Sequence, residues 1–296
     1  MLVDWLLLSP SSFGNLFPTF STTLLSAIRR REKMYTREKI KFAIPRNMAS
    51  MVRNHLICAD LEVEINEGLF RGEIRNWEIA GRPVLIGLPR SLDIPPRVAW
   101  RKYDFALVGE DCVQEQELRY RIEVERIASF PYGRRTCGSS PKLVIVADAN
   151  EEIKRLEDIP PGTLISSDFP WLTRKFLEGR GLKPRFITSY DMDVDERREQ
   201  LRRNRAVGIE VIHGAALTEV SLDQDIGVVV DETGETVNSN GVLRIATIMD
   251  VPTVLIANTA VFRDDPRVRA AIKELAARLK SALPCLKERI SERVAT

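Results

Sequence analysis

The sequence predicts an α/β protein of two lobes, each a parallel sheet covered by helices, with a ligand cleft between them. From Lys39 onward, short apolar runs bounded by Gly, Pro, Asp or Ser alternate with segments of helical spacing, the pattern of strands buried on both faces. The 296 residues, 44% of them hydrophobic, can bury a sizeable core, and that length favours two domains over one. A polar stretch rich in Gly, Ser and Pro, Pro131 to Pro141, separates two series of strands.

Residues 1–38 differ from the rest: Met1 to Ile28 is apolar and rich in Ser, Thr and Phe, the segment then turns basic, and Met34 precedes the first strand. It reads as a disordered or dispensable extension, or as the product of a start codon placed too early. Strands are predicted at Ile40–Ile44, Val84–Gly87, Phe105–Val108, Leu143–Ala147, Thr163–Ser166, Arg185–Thr188, Ile226–Val230 and Thr253–Ala257. Helical spacing covers Met48–Ala59, Asn150–Leu156, Leu172–Arg180, Glu196–Arg203 and Thr236–Leu243, with a terminal helix over Arg267–Leu283. A return crossing near Arg244–Val251 completes the plan. Lobe I is then 39–139 plus 247–296, and lobe II is 140–246.

Charge and cysteine usage narrow the function classes. Lys and Arg total 44 against 42 Asp and Glu, a net charge of +2, so there is no global signal for nucleic acid. Arg29-Arg30-Arg31 and Arg202-Arg203 read as solvated clusters. The longest unbroken apolar run of the first segment, Trp5–Leu8, is far too short to span a bilayer, and no membrane association is expected. Cys58, Cys112, Cys137 and Cys285 are widely separated, with only His55 and His213 to join them. Neither a zinc site nor a disulfide framework is suggested, which fits a cytoplasmic protein. Cys112 reads as a small buried filler.

The most informative feature is the run Gly227-Val228-Val229-Val230 followed by Asp231-Glu232-Thr233-Gly234-Glu235-Thr236. A buried strand that ends in two carboxylates and a hydroxyl-flanked glycine turn suits a phosphorylated sugar. The turn presents consecutive N–H groups and hydroxyls to an anion, and Gly234 lets the backbone come close. The two acids can accept from ribose hydroxyls or hold water on a Mg²⁺ that neutralises a diphosphate. An ordinary strand-to-helix turn has the same composition.

Further blocks carry a family resemblance. Arg90-Ser91-Leu92-Asp93-Ile94-Pro95, Val98 and Asp104 to Asp111 resemble the R-x-x-D-I-P…V…D-x-G-I-x-G-x-D region of ATP phosphoribosyltransferase, the first enzyme of histidine biosynthesis. Ser166 to Phe176 is similar to its A-T-x-Y-P-x-L-T-R-x-Y segment. Asp231 to Thr236, extended through Asn240 and Gly241, resembles its phosphoribosyl-diphosphate loop, and Leu255-Ile256-Ala257-Asn258 resembles the strand that ends its catalytic core.

The resemblance implies a type II periplasmic-binding-protein-like fold with the active site between the lobes. It implies Mg²⁺-dependent displacement at the anomeric carbon of phosphoribosyl diphosphate by N1 of ATP, releasing diphosphate. Asp231 and Glu232 are the catalytic candidates. Arg46, Asp111, Thr233, Gly234, Glu235 and Thr236 are the substrate-binding candidates, with no protein metal ligand assigned and Mg²⁺ as the cofactor. A homo-oligomer is expected, with a regulatory partner subunit as a further expectation, and the family's own regulatory domain is not.

Departures from the family pattern keep alternatives open. The family's K-G-R-L element is replaced by Arg46-Asn47-Met48-Ala49, and Asp231 stands two residues beyond the usual acid, where this chain has Val229. Asp191 to Arg198 reads as an inserted, charged surface helix, while Gly208-Ile209-Glu210 and Gly214 both compete for the family's G-x-x-E element. His213 reads as a loop or core histidine. Arg134-Arg135 reads as a solvated hinge or as a contact to ATP phosphates. A divergent paralogue with another acceptor and a non-catalytic two-lobed binding protein are the alternatives.

Overall fold

Strands buried on both faces form the centres of two sheets, and strands that alternate between buried and exposed positions lie toward a margin. The computed structural model describes residues 38–150, 152–188, 193–212, 216, 220, 225–234, 237, 239 and 241–294, and residues 1–37 with the expectation placed on them lie outside that set. The first sheet contains β1 (Ile40–Ala43), β2 (Val63–Asn66), β3 (Arg71–Ile79), β4 (Arg82–Gly87), β5 (Phe105–Gly109), β6 (Glu125–Phe130) and β13 (Thr253–Ala257), in the order β2-β3-β4-β1-β5-β13-β6. The second contains β7 (Lys142–Asp148), β8 (Leu164–Ser167), β9 (Pro184–Ile187), β10 (Val207–Val211), β11 (Ile226–Asp231) and β12 (Val242–Asp250), in the order β12-β7-β11-β8-β10-β9.

The first sheet is parallel at its centre and antiparallel at both margins, and the second is parallel from β11 to β9 and antiparallel at its β12 margin. β4, β1 and β5 run parallel, as do β11, β8, β10 and β9. The β2–β3 hairpin, β13 and β7 pair antiparallel with their neighbours. The sheets are therefore mixed, a correction to the expected all-parallel plan. Marginal antiparallel strands such as β3 carry charges between their apolar positions and so lack the continuous apolar run that marks a buried parallel strand.

Helices cover the sheets: α1 (Ala49–Cys58), α2 (Ile94–Ala99), α3 (Glu110–Tyr120), α4 (Pro170–Glu178), α5 (Val194–Arg203), α6 (Thr259–Asp264), α7 (Pro266–Ser281) and α8 (Leu283–Val294). Three expectations change. The crossing placed at Arg244–Val251 is mostly strand β12, laddered to β7. The segment expected as the helix Asn150–Leu156 is not helical over its described residues before Leu156, where a single helical turn, Leu156–Asp158, begins. Val242 and Leu243, read as a helix end, begin β12. In each case pairing with β7 or packing decided between states that a short apolar pattern leaves degenerate.

Phe105 and Leu107 of β5 enter a core beneath α1, α7 and α8, where Phe42 stacks on Phe105 with ring centroids 4.6 Å apart. Ala106 and Val108 face the other way, into a core that includes α2 and α3 and continues into Leu143, Ile145 and Ala147 of β7 and Leu172 and Leu177 of α4. One hydrophobic core therefore joins the two sheets.

Cys58, at the end of α1, and Cys285, near the start of α8, form a disulfide with Cα atoms 5.8 Å apart. This corrects the expectation of unpaired cysteines: the 227-residue separation says nothing about proximity, which the α1–α8 packing creates. His55 is a core histidine that contacts the Tyr132 hydroxyl at 3.1 Å and the Leu279 carbonyl at 2.8 Å. Burial lowers its pKa to about 4.

Two strands of chain cross between the sheets side by side. The first is 131–141; the second is Val251-Pro252, where Val251 N–H donates to the Pro141 carbonyl at 2.7 Å. Tyr132 roots the first crossing in the lobe I core: it is fully buried, and its carbonyl accepts from Thr253 Oγ1 at 2.9 Å.

Candidate functional site

Because β8, β10 and β11 are parallel, Ser167, Val211 and Asp231 all end on one edge of the second sheet, the edge where open α/β sheets bind ligands. Asp231 closes β11. Its carboxylate is 3% exposed, with Oδ1 accepting from Gly234 N–H at 2.9 Å and Oδ2 paired with Arg244 of β12. Asp231 thereby folds the chain back into a tight turn, which Gly234 permits with φ of +79°. As placed, the Asp231 carboxylate shapes the loop rather than facing outward. Thr233 is exposed at the turn. Glu235 and Thr236, the remaining loop candidates, lie outside the described residues, as do His213, Gly214 and Asn240.

Glu232 turns away from the loop toward the first crossing between lobes. Its carboxylate accepts from the backbone N–H groups of Arg134 and Arg135, the latter at 3.2 Å to Oε1 and 3.1 Å to Oε2. Gly133 makes room, since a Cβ there would collide with Glu232 Oε1 and Pro141 Cγ. The sequence pointed to Arg134 and Arg135 for their side chains; the structure uses their backbone.

On the first lobe, Arg46 follows β1 in a single helical turn, exposed, with its guanidinium 4.2 Å from the Phe70 ring centroid. Stacking holds a planar cation in place without neutralising it. Asp111, in the first turn of α3, is buried, and its Oδ1 accepts from Cys112 N–H at 2.7 Å. Burial is the main cause that raises its pKa to about 6. Burial likewise pushes the Cys112 thiol well up, away from nucleophilic reactivity.

Sequence reasoning missed Glu115. From α3 of lobe I, 1% exposed, it accepts from Trp171 N–H at 3.1 Å and Leu172 N–H at 2.8 Å, the first turn of α4 in lobe II. α4 has Phe169 at its N-cap, a residue with no side-chain acceptor, and a helix start without its own cap is the signal that an acceptor comes from elsewhere. Arg197 also corrects an expectation: it lies in the helix read as charged surface, yet it is 8% exposed and faces Glu210 at the end of β10 at 3.6 Å. Its Nε and Nη1 have no hydrogen-bond partner among the described residues.

Replacing Asp231 by Asn would keep an acceptor for Gly234 but present an amide to Arg244. A loss of about 1–3 kcal/mol in urea unfolding is expected; an unchanged midpoint would show that the pair does not shape the loop.

Fold and site together define a two-lobed α/β protein of the type II periplasmic-binding kind, with a polar glycine turn at a strand end of the second lobe. The fold is shared with the periplasmic aliphatic sulphonate binding protein SsuA from Escherichia coli (TM-score 0.55, 12% identity, 88% of this chain and 77% of that one). It is also shared with the ATP phosphoribosyl transferase (HisG:HisZ) complex from Thermotoga maritima (TM-score 0.58, 16% identity, 83% of this chain and 98% of that one). The family model for HisG, ATP phosphoribosyltransferase, matches residues 90–281, and the chain belongs to that family. An ATP phosphoribosyltransferase of Methanococcus maripaludis is 26% identical over 204 residues, 68% of this chain and 59% of the relative. One from Carboxydothermus hydrogenoformans is 26% identical over 205 residues, 68% of this chain and 77% of the relative. The chain thus spans about three fifths of the archaeal relative's length.

Proposed function

We propose that this chain transfers phosphoribosyl from phosphoribosyl diphosphate to N1 of ATP, the first step of histidine biosynthesis. The observation that carries the reading is the Asp231–Gly234 turn at the carboxyl end of β11, inside the span that matches the family. N1 of ATP attacks the anomeric carbon, the bond from that carbon to the diphosphate oxygen breaks, and diphosphate departs with the bonding pair. A transition state of oxocarbenium character and an anionic leaving group ask for positioning and charge stabilisation more than for a nucleophile. Thr233 and Gly234, with Glu235 and Thr236, would cradle the 5-phosphate, and Arg46, held on Phe70, would meet a phosphate of either substrate.

Mg²⁺ would neutralise the departing diphosphate. Among the described residues no group of three or more His, Cys, Asp or Glu is arranged to hold a metal ion, so the ion would arrive on the diphosphate and keep most of its waters. The HisG:HisZ complex from Thermotoga maritima supports a regulatory partner subunit here too, and assembly into a homo-oligomer is carried over from the family resemblance alone. No helix among the described residues is long and apolar enough to cross a membrane, and a cytoplasmic enzyme is the setting this reaction implies.

The test is diphosphate release from phosphoribosyl diphosphate, Mg²⁺ and ATP, with calorimetry of phosphoribosyl-diphosphate binding beside it. Release with ATP supports the full reading, and release only with another nucleotide acceptor leaves the transfer and replaces the acceptor. Absence of both release and binding overturns it.

A further inference from the structure

We propose that Glu232 is a positioning residue that fastens the phosphoribosyl loop of lobe II to the crossing from lobe I, so that the hinge between the lobes sets the loop. This rests on the assignment of that loop to phosphoribosyl diphosphate. Four observations carry it.

First, the contact is specific in its acceptor. Three hydrogen bonds from two consecutive backbone N–H groups converge on one carboxylate, the arrangement by which backbone concavities hold anions. Second, the seat is cleared by an absent side chain. The φ of Gly133 is not in the left-handed region, so its glycine is required by the close approach of Glu232 and not by conformation.

Third, the seat belongs to lobe I. Tyr132, next to it, is locked between Thr253 and His55, and the turn is closed by Gly133 N–H to the Thr136 carbonyl at 3.0 Å and Gly138 N–H to the Pro131 carbonyl at 2.8 Å. Fourth, Glu232 belongs to lobe II. It follows Asp231, whose register partner Lys142 begins β7 directly after the crossing. The contact therefore spans the crossing between the lobes, and a rotation that draws residues 131–138 away from the end of β11 separates donors from acceptor. Asp231 holds the loop from within while Glu232 holds it to the hinge, which assigns the two adjacent carboxylates different work.

The experiment uses the full chain with Glu232→Ala, Gly133→Ala, the double variant and Glu232→Gln, each first checked for a native-like melting transition by circular dichroism. Gly133→Ala blocks the seat without changing a residue of the loop. Both single variants are expected to weaken phosphoribosyl-diphosphate binding by about tenfold, and Gly133→Ala, which alters no residue of the loop, is expected to keep kcat at saturation within about twofold of the original. The double variant should be no weaker than either single one, because both remove the same contact. Glu232→Gln, which retains an oxygen acceptor, should fall between. If the single losses multiply in the double variant, or if Glu232→Ala lowers kcat and leaves binding intact, Glu232 acts on the sugar itself and the proposal fails. Hydrogen exchange at the Arg134 and Arg135 amides supplies a readout without substrate. Faster exchange in Glu232→Ala is expected, and unchanged exchange overturns the fastening. A native chain that binds no phosphoribosyl diphosphate, together with faster exchange in Glu232→Ala, would overturn the assigned function while leaving the contact itself established.

Discussion

Reduction of the Cys58–Cys285 disulfide will lower the unfolding free energy by several kcal/mol. The bridge spans 227 residues, from α1 to α8, so it constrains nearly the whole described unit in the unfolded chain. The chain-entropy relation puts a loop of that size near the upper end of disulfide effects, about 5 kcal/mol, and about 3–5 kcal/mol is expected once residual structure in the unfolded state is allowed for. In urea, the reduced protein and the Cys285→Ala variant should unfold together at a lower midpoint, while oxidised protein holds the higher one. Equal midpoints with and without reductant would refute the prediction, as would a peptide map that finds the two cysteines unlinked under non-reducing conditions. Closed disulfides are uncommon in a reducing cytoplasm, so a titration against the glutathione couple belongs to the same experiment: a strongly reducing potential would let the bridge persist there.

Glu115→Gln will flatten the pH dependence of stability, and Glu115→Ala will weaken the joint between the lobes. Burial is the largest cause that raises the Glu115 pKa from 4.5 to about 7, opposed by the N–H groups of Leu172 and Trp171 that favour its charged form. For an acid with a raised folded-state pKa, the folded chain holds the proton that the unfolded chain has released between those two values. Stability attributable to Glu115 therefore falls as pH rises from 4.5 to about 7, by on the order of 3 kcal/mol in total. Asp111, raised from 3.8 to about 6, acts with the same sign over a lower window. Glu115→Gln keeps an acceptor for α4 and does not titrate, so the decline that remains should end near the Asp111 value of about 6. Glu115→Ala near pH 5 orphans the two helix N–H groups and leaves a cavity, which should cost about 2–4 kcal/mol. Urea midpoints across the pH range decide it: an unaltered slope in Glu115→Gln would place the titration elsewhere.

Much of this fold was legible because its central strands are buried on both faces. Runs such as Phe105–Val108 and Ile226–Val230 carry apolar residues at every position or nearly so, and no surface helix tolerates that. The hairpin of β2 and β3 was not legible, since charged and polar residues interrupt its apolar ones and its strandedness comes from pairing at the sheet edge. α3 was missed for a related reason. Its sequence is acidic and polar, yet it buries Glu115 and Gln116 because the opposite lobe supplies donors and packing.

The loop after β11 shows the same division. Valines, a glycine and flanking acids and hydroxyls marked its place at a strand end, because backbone chemistry at such a turn depends on residues adjacent in the chain. What each carboxylate does was beyond that reading: Asp231 meets Arg244, which the β12–β7–β11 ladder of its own sheet brings near, and Glu232 meets Arg134 and Arg135, which the crossing between lobes brings near.

From its own residues the sequence determined the α/β class, the family and the position of the candidate loop, since periodicity and local turn chemistry are short-range properties. Tertiary structure alone decided the Cys58–Cys285 bridge, the cap that Glu115 places on the other lobe's helix, and the seat of Glu232 beside Gly133. Each of these joins residues dozens to hundreds of positions apart, and contacts of that range are set by how the sheets and helices pack, not by any pattern along the chain.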